Sequence, residues 1–120
     1  MFNLKVETIG AVAVVHCKGR IVRSEAAFQL RDAVTAQKCA RVIVLDFSGV
    51  QALEGGGLGM LLFLQVWIHS LGIQLKVFAP TAAVRQSLER TRAAAVEIAG
   101  MSEVGSLLGQ YPGARAPSPP

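Results

Sequence analysis

Residues 42–59 read VIVLDFSGVQALEGGGLG, and this stretch decides the fold. A β-branched run ends at Asp46, a short turn is expected to follow, and three glycines then open a strongly apolar segment that is predicted to be a helix. A strand therefore passes into a helix here. Because the first backbone N–H groups of a helix lack intrahelical partners, the junction suits an anion or an acidic group of a partner.

This junction lacks the side chains that catalysis or nucleotide binding would need. Residues 51–59 contain no Ser, Thr or Cys, so the turn offers backbone groups and one carboxylate, Glu54, but no nucleophile. No Lys followed by Ser or Thr comes after Gly59, which excludes a phosphate-binding loop of the Walker type. A tight turn with close backbone approach and the docking of a partner explain the glycines equally well.

Length and composition bound the possible functions. A chain of 120 residues supports one small domain, and 52% apolar with 17% charged residues is rich for a soluble monomer, so some apolar surface is expected to bind another protein. No apolar run is long enough to span a membrane and no signal-peptide pattern is present, so we expect a cytoplasmic protein without membrane insertion. The net charge of +4 comes from scattered basic residues without interleaved aromatic residues, which favours solvated surface charge over nucleic-acid binding.

The histidines and cysteines form no recognisable site in the sequence. His16 lies in an apolar strand and His69 near the end of an apolar helix, and neither has a neighbour at ligand spacing. Cys17 and Cys39 are predicted to be buried free thiols, since no Cys-x-x-Cys pair is present. Asp46 is explained by hydrogen bonding in the turn that is expected after it. We therefore expect no catalytic residue, no bound metal and no cofactor.

The apolar pattern predicts strands that alternate with helices. Strands are predicted at residues 5–8, 11–17, 41–47 and 74–79, with a further short strand in residues 93–98. Helices are predicted at residues 24–37, 57–70 and 82–91, with a last turn or two at residues 102–108. Helical crossovers between strands imply a mostly parallel sheet and an α/β fold.

Several single residues refine this prediction. Ser24 and Thr81 are the expected helix N-caps, and Gly19 is expected to end the second strand. In the first helix the side chains predicted to face inward are Ala27, Phe28, Leu30 and Val34. Residues 1–110 are expected to form the domain, and residues 111–120, which include PGARAPSPP, a disordered tail.

The same junction carries a resemblance to a known family. L-D-F-S-G-V at residues 45–50, followed by E-G-G-G-L-G at residues 54–59, resembles the STAS domain, the fold shared by anti-sigma factor antagonists and the cytoplasmic tails of sulfate transporters. The resemblance extends over roughly residues 4–108, through C-K-G-R-I at residues 17–21 and L-K-V-F-A-P at residues 75–80. It implies a STAS-like single domain with a mixed, mostly parallel sheet of four to five strands and helices packed mainly on one face.

The sequence departs from the family at the point where the family is regulated. Glu54 stands where the family usually has Asp, and Gly55 and Gly56 occupy the region of the phosphorylatable hydroxyl. The resemblance therefore implies a non-catalytic bacterial regulatory module that binds an anti-sigma factor or a related kinase-like protein without phosphorylation at this turn. The alternative is the small STAS subunit of an ABC-type lipid transport complex, which contacts its ATPase. A small enzyme or nucleotide binder is disfavoured by the missing nucleophile, metal ligands and phosphate loop.

The predicted central helix has few polar residues to orient it. At 100° per residue, Leu61, Gln65 and Ile68 lie on one side, while Phe63, Val66 and Trp67 lie broadly opposite. The residues alone leave the orientation open, because Gln65 and His69 would ordinarily mark the exposed side. The resemblance implies that the side with Leu58, Leu61 and Ile68 faces inward; packing on the tail or on a second copy of the chain is the alternative to a partner-binding patch. The candidate partner-binding residues are Glu54, Gly55, Gly56, Gly57, Leu58, Phe63 and Trp67.

Overall fold

The computed structural model describes residues 2–90 and 96–110. Its elements are β1 (Asn3–Ile9), β2 (Val12–Ile21), α1 (Ser24–Thr35), β3 (Val42–Leu53), α2 (Gly55–Ser70), β4 (Gln74–Phe78), α3 (Ala82–Arg90), β5 (Glu97–Ala99) and α4 (Met101–Gln110). The sheet order is β1-β2-β3-β4-β5; β1 is antiparallel to β2, and the other neighbouring pairs are parallel. The predicted mixed, mostly parallel α/β fold is confirmed.

The two faces of the sheet carry cores of different size. Alternate residues of β2 and β3 point into the main core, which α1, α2 and α3 close with their apolar faces. On the opposite face α4 packs over a smaller cluster of buried side chains formed by Val12, Val14, Val42, Val44 and Leu107. Three helices on one face and one on the other agree with the expectation that the helices pack mainly on one face.

Strands β2 and β3 continue further than the sequence predicts. The second strand runs through Gly19 to Ile21, and β3 runs through Ser48 and Gly49 to Leu53, so the turn expected after Asp46 is wrong. The pairing of β2 with β3 shifts register twice, which places extra residues in β3 at these positions. Such β-bulges absorb turn-forming residues without ending a strand, because cross-strand pairing resumes beyond them.

The helix boundaries follow the sequence with small corrections. Helix α2 begins at Gly55 rather than at residue 57, and Ser24 is the first residue of α1 while Arg23 occupies the N-cap position. The cap predicted at Thr81 is confirmed, since its Oγ1 accepts the Val84 N–H at 3.3 Å. Phe28 is 48% exposed, so its predicted inward position is wrong; Ala27, Leu30 and Val34 are buried as predicted.

The C-terminal part of the domain is held by polar as well as apolar contacts. Strand β5 lies at the end of the segment in which a short strand is predicted, and α4 is longer than the predicted last turn or two. The Lys76 ammonium donates to Glu97 at 2.7 Å and pairs with Glu103 of α4 at 3.0 Å. Residues 91–95 and the predicted tail of residues 111–120 lie outside the described residues. Within the described part, no helix combines the length and the apolar character needed to cross a membrane.

Candidate functional site

The junction between β3 and α2 presents the exposed start of a helix. Glu54 lies between β3 and α2 and has extended backbone angles. Its N–H donates to the Ile21 carbonyl at 3.2 Å. Its own carbonyl accepts the Gly57 N–H at 3.1 Å, while its carboxylate makes no capping hydrogen bond. Because no side chain caps this end and the Gly57 N–H is already paired, the N–H groups of α2 that can meet a ligand or partner are those of Gly55 and Gly56. Glu54, Gly55 and Gly56 are all exposed.

The three consecutive glycines differ in whether their positions require glycine. Gly55 has φ of +55°, a left-handed conformation that side chains with a Cβ rarely adopt. Gly56 lies in ordinary backbone space, where an added Cβ would meet only the Val22 carbonyl at 3.6 Å. Gly57 is buried, and an added Cβ would lie 2.0 Å from the Ile21 carbonyl oxygen. The first and third glycines are therefore required by the fold, and the second is not.

Helix α2 has one buried side and one exposed stripe. Leu61, Leu64 and Ile68 are buried in the main core, which confirms the orientation that the resemblance implies. The exposed stripe, defined as Gly56, Gly59, Phe63, Val66 and Ser70, starts at the junction and continues along the helix. Phe63 is 55% and Val66 66% exposed, so this stripe offers apolar side chains to solvent.

Two further α2 side chains differ from what their residue types suggest. Trp67 lies beside the exposed stripe, but it is only partly exposed and packs against the main core. Gln65 would ordinarily mark the wet side of the helix, yet it is 7% exposed and on the core side. Its Oε1 has no hydrogen-bond partner. The predicted site residues therefore differ in exposure: Gly57 is buried, Leu58 and Trp67 are partly buried against the main core, and the exposed ones are Glu54, Gly55, Gly56 and Phe63.

A charged cluster on the other face of the sheet is absent from the sequence prediction. His16 on β2 bonds Asp46 of β3 through Nδ1 at 2.7 Å and Glu7 of β1 through Nε2 at 3.0 Å. Asp46 also accepts the Ser48 N–H at 3.0 Å, so the expected local hydrogen bond exists inside the bulged strand. These three side chains tie three neighbouring strands together at the end of the face that lies beyond the α4 cluster.

The contacts within this cluster favour the charged forms of His16 and Asp46. The hydrogen bonds to Glu7 and Asp46 raise the pKa of His16, against the opposing effect of burial. Burial acts to raise the pKa of Asp46, but the Ser48 N–H and His16 outweigh it, and the pKa of Asp46 is lowered. Both nitrogens of His16 are occupied by carboxylates, which leaves neither free to act as a catalytic base. The pairing of β2 with β3 places Asp46 opposite His16, and this register is the information that would have located the cluster.

The two cysteines have different environments. Cys17 is buried as predicted, and burial raises the pKa of its thiol to about 12, which keeps it protonated and unreactive. Cys39 is exposed, so its predicted burial is wrong; it lies in the connection between α1 and β3. Among the residues that the structure describes, no group of three or more His, Cys, Asp or Glu is arranged to hold a metal ion.

Comparison with known proteins assigns the family. Residues 4–103 match the family model described as "Mlab, STAS domain". Since this match spans most of the chain, the protein belongs to the STAS domain family. No curated protein sequence matches the chain significantly.

Solved structures show the same fold at low sequence identity. An anti-sigma factor antagonist from Mycobacterium paratuberculosis is 23% identical, with a TM-score of 0.70 over 92% of this chain and 94% of that one. The unphosphorylated anti-sigma factor antagonist SpoIIAA is 16% identical, with a TM-score of 0.70 over 92% of this chain and 97% of that one. The SLC26A9 structure is 12% identical, with a TM-score of 0.71 over 85% of this chain but only 20% of that one.

Proposed function

We propose that this protein is a non-catalytic regulatory module that docks on an anti-sigma factor or a related kinase-like protein. The docking surface is the junction of Glu54, Gly55, Gly56, Gly57 and Leu58 together with Phe63 and the flanking Trp67. The observation that carries this proposal is the continuity between the uncapped start of α2 and an apolar stripe in which Phe63 is 55% exposed. Gly57 contributes by positioning the turn, because it is itself buried.

The junction supports docking without the family's phosphorylation switch. A phosphate on a hydroxyl at this turn would add about two negative charges and oppose docking through repulsion and desolvation. Gly55 and Gly56 supply no hydroxyl, and Gly56 faces solvent where the acceptor would be expected. We infer that binding at this junction is constitutive, as in a scaffold or decoy, in a cytoplasmic pathway of transcription regulation.

One observation favours a second candidate. The family model that matches is described by the name Mlab and not as an anti-sigma factor antagonist. This description favours the STAS subunit of an ABC-type lipid transport complex, with the same junction in contact with an ATPase subunit. Both candidates place a nucleotide-binding protein on the start of α2, so the identity of the partner separates them.

The test is affinity capture from an extract of the native cells with three versions of the full chain. The parent should retain a stoichiometric partner. Gly56→Glu places a negative side chain at the junction, where there is room for its Cβ. If the partner contacts this turn with an acidic or apolar surface, the variant should weaken capture by at least about ten-fold. The matched control is Gly105→Glu in α4, an exposed helical position with no atom within 4 Å of the added Cβ.

The outcomes discriminate between the candidates. A kinase-like anti-sigma factor that Gly56→Glu releases and Gly105→Glu retains supports the first candidate, and an ABC ATPase with the same behaviour supports the second. Equal capture by all three versions means that the junction is not the contact site. A parent that captures only its own chain, with a dimer in sedimentation equilibrium, replaces both candidates with self-association through α2.

A further inference from the structure

A cleft lies at the C-terminal end of α2, at the opposite end of that helix from the glycine junction. It has a volume of about 680 Å³ and runs between the C-terminal end of α2, the connection from α1 to β3, and the residues before β4. Its side chains come from Lys38, Ala40, Arg41, Trp67, Leu71 and Ile73. The volume is within the range of about 300 to 1,000 Å³ that is usual for small-molecule sites.

The cleft has an apolar wall and a cationic side. Ile73 is buried at 7% exposure and Trp67 packs on the main core, so both are fixed in place, while Leu71 is 53% exposed. Lys38 and Arg41 are exposed, and in residues 2–90 and 96–110 neither forms an ion pair. No acidic residue lines the cleft. Its charge is therefore complementary to an anion.

A purely structural role explains only half of this arrangement. Cations near the end of a helix are stabilised by the negative end of its dipole, which accounts for Lys38 and Arg41. The dipole does not account for an indole face and an exposed leucine beside those cations. An apolar surface next to unpaired positive charge is the composition of a site for an amphiphilic anion.

We propose that this cleft binds a small amphiphilic anion, an apolar or aromatic body that carries one phosphate, sulfonate or carboxylate group. Lys38 and Arg41 would hold the anionic group, and Arg41 can do so with two parallel hydrogen bonds. The body would lie against Trp67, Leu71 and Ile73. Trp67 is twelve residues after Gly55, about 18 Å along the helix, and it is the residue that the cleft shares with the docking surface. Lys38 and Arg41 lie outside that surface, so the proposal goes beyond the docking function, and substitution of these two residues tests it separately.

Trp67 is the only tryptophan in the chain, so its fluorescence reports directly on the cleft. The probe is 8-anilinonaphthalene-1-sulfonate, which has an aromatic body and one sulfonate and accepts energy from tryptophan. We expect saturable energy transfer at one probe per chain. The double variant Lys38→Gln/Arg41→Gln should weaken probe binding by at least about ten-fold, because it removes both charged donors.

The control variant is Lys5→Gln/Lys18→Gln, which removes the same charge from exposed positions on β1 and β2, away from the cleft. It should change the affinity by less than about two-fold. Both variants must keep the far-UV circular dichroism and melting temperature of the parent, which exposed positions should allow. Absence of energy transfer in the parent, or probe affinity in the cleft variant within about two-fold of the parent, overturns the proposal.

Competition identifies the source of the ligand. Displacement of the probe by soluble hexyl phosphate supports a free metabolite as the ligand. A lipid is supported if the protein binds vesicles that contain phosphatidylglycerol but not pure phosphatidylcholine vesicles, and if the cleft variant loses this binding. If neither competes, the proposed chemistry is wrong. Inorganic phosphate should compete much more weakly than hexyl phosphate, since it lacks the apolar body; equal competition would also refute the proposal.

Discussion

Gly57→Ala should destabilise the protein although it adds only one methyl group. The added Cβ would lie 2.0 Å from the carbonyl oxygen of Ile21, 2.6 Å from its carbonyl carbon and 2.7 Å from its Cγ2. The first distance is shorter by about 1.3 Å than the closest favourable carbon–oxygen contacts in sheets. Ile21 cannot withdraw easily, because it is fully buried and its carbonyl accepts the Glu54 N–H at 3.2 Å.

The magnitude follows from two opposing effects. Alanine is a better helix former than glycine by about 1 kcal/mol, which favours the variant. Overpacking of a buried site typically costs about 1 to 3 kcal/mol, and a clash with backbone belongs at the upper end or beyond. We expect a net loss of about 2 kcal/mol or more in the free energy of unfolding.

Urea unfolding followed by Trp67 fluorescence measures this loss through the transition midpoint at constant slope. Gly59→Ala is the matched control in the same helix, with no atom within 4 Å of the added Cβ; it should stabilise the protein by up to about 1 kcal/mol. If Gly57→Ala unfolds within about 0.5 kcal/mol of the parent, the close approach of α2 to β2 described here is wrong.

Four other predictions concern single groups. The raised pKa of His16 means that the stability contributed by its protonation is complete below pH 6.5 and is lost as the pH rises through its higher pKa in the folded state. Urea midpoints measured from pH 6.5 upward should show this fall in the parent and not in His16→Gln. Phe63→Ala should weaken partner binding by about 2 kcal/mol or more and change the unfolding free energy little, whereas Trp67→Ala should lower the melting temperature clearly; the reverse pattern would contradict the orientation of α2. Incubation with an anti-sigma-type kinase and ATP should leave residues 51–59 without phosphate in mass spectra, because they contain no hydroxyl acceptor. Gln65→Met should raise the unfolding midpoint, since it removes a buried oxygen without a partner; a lower midpoint would show that Oε1 is satisfied.

The sequence predicts the elements whose signals are local. The apolar run before Asp46 lies in β3, the three glycines are the first residues of α2, and Thr81 caps α3; each of these is predicted from a few adjacent residues. The side chains of α2 are different. The family resemblance predicts which side of α2 faces inward, whereas the residues alone do not. A helix with apolar residues on all sides has no periodic pattern, and Gln65, which would suggest the exposed side, is buried.

Features that depend on contacts between residues distant in sequence cannot be predicted from local patterns. Strand β3 passes through Ser48 and Gly49 because β2 pairs with it on both sides of the bulge, and no local signal in a turn-like segment reports that pairing. His16 meets Asp46 thirty residues away only once the register is known. The exposed position of Phe28 depends on how α1 packs on α2, while the cleft around Trp67 joins three separate segments.

The attachment of α4 has a consequence for how the molecule opens. The helix covers four valines of the sheet with the buried Leu107 and the partly buried Val104 and Leu108, and its Glu103 pairs with Lys76 of the sheet. So small an apolar contact makes α4 the element that should detach first in local fluctuations, ahead of the main core. Each detachment bares a strip of valine side chains on the face of the sheet, an apolar patch through which chains can associate. The strength of the Lys76–Glu103 contact should therefore influence the resistance of the protein to aggregation at high concentration, as well as its stability.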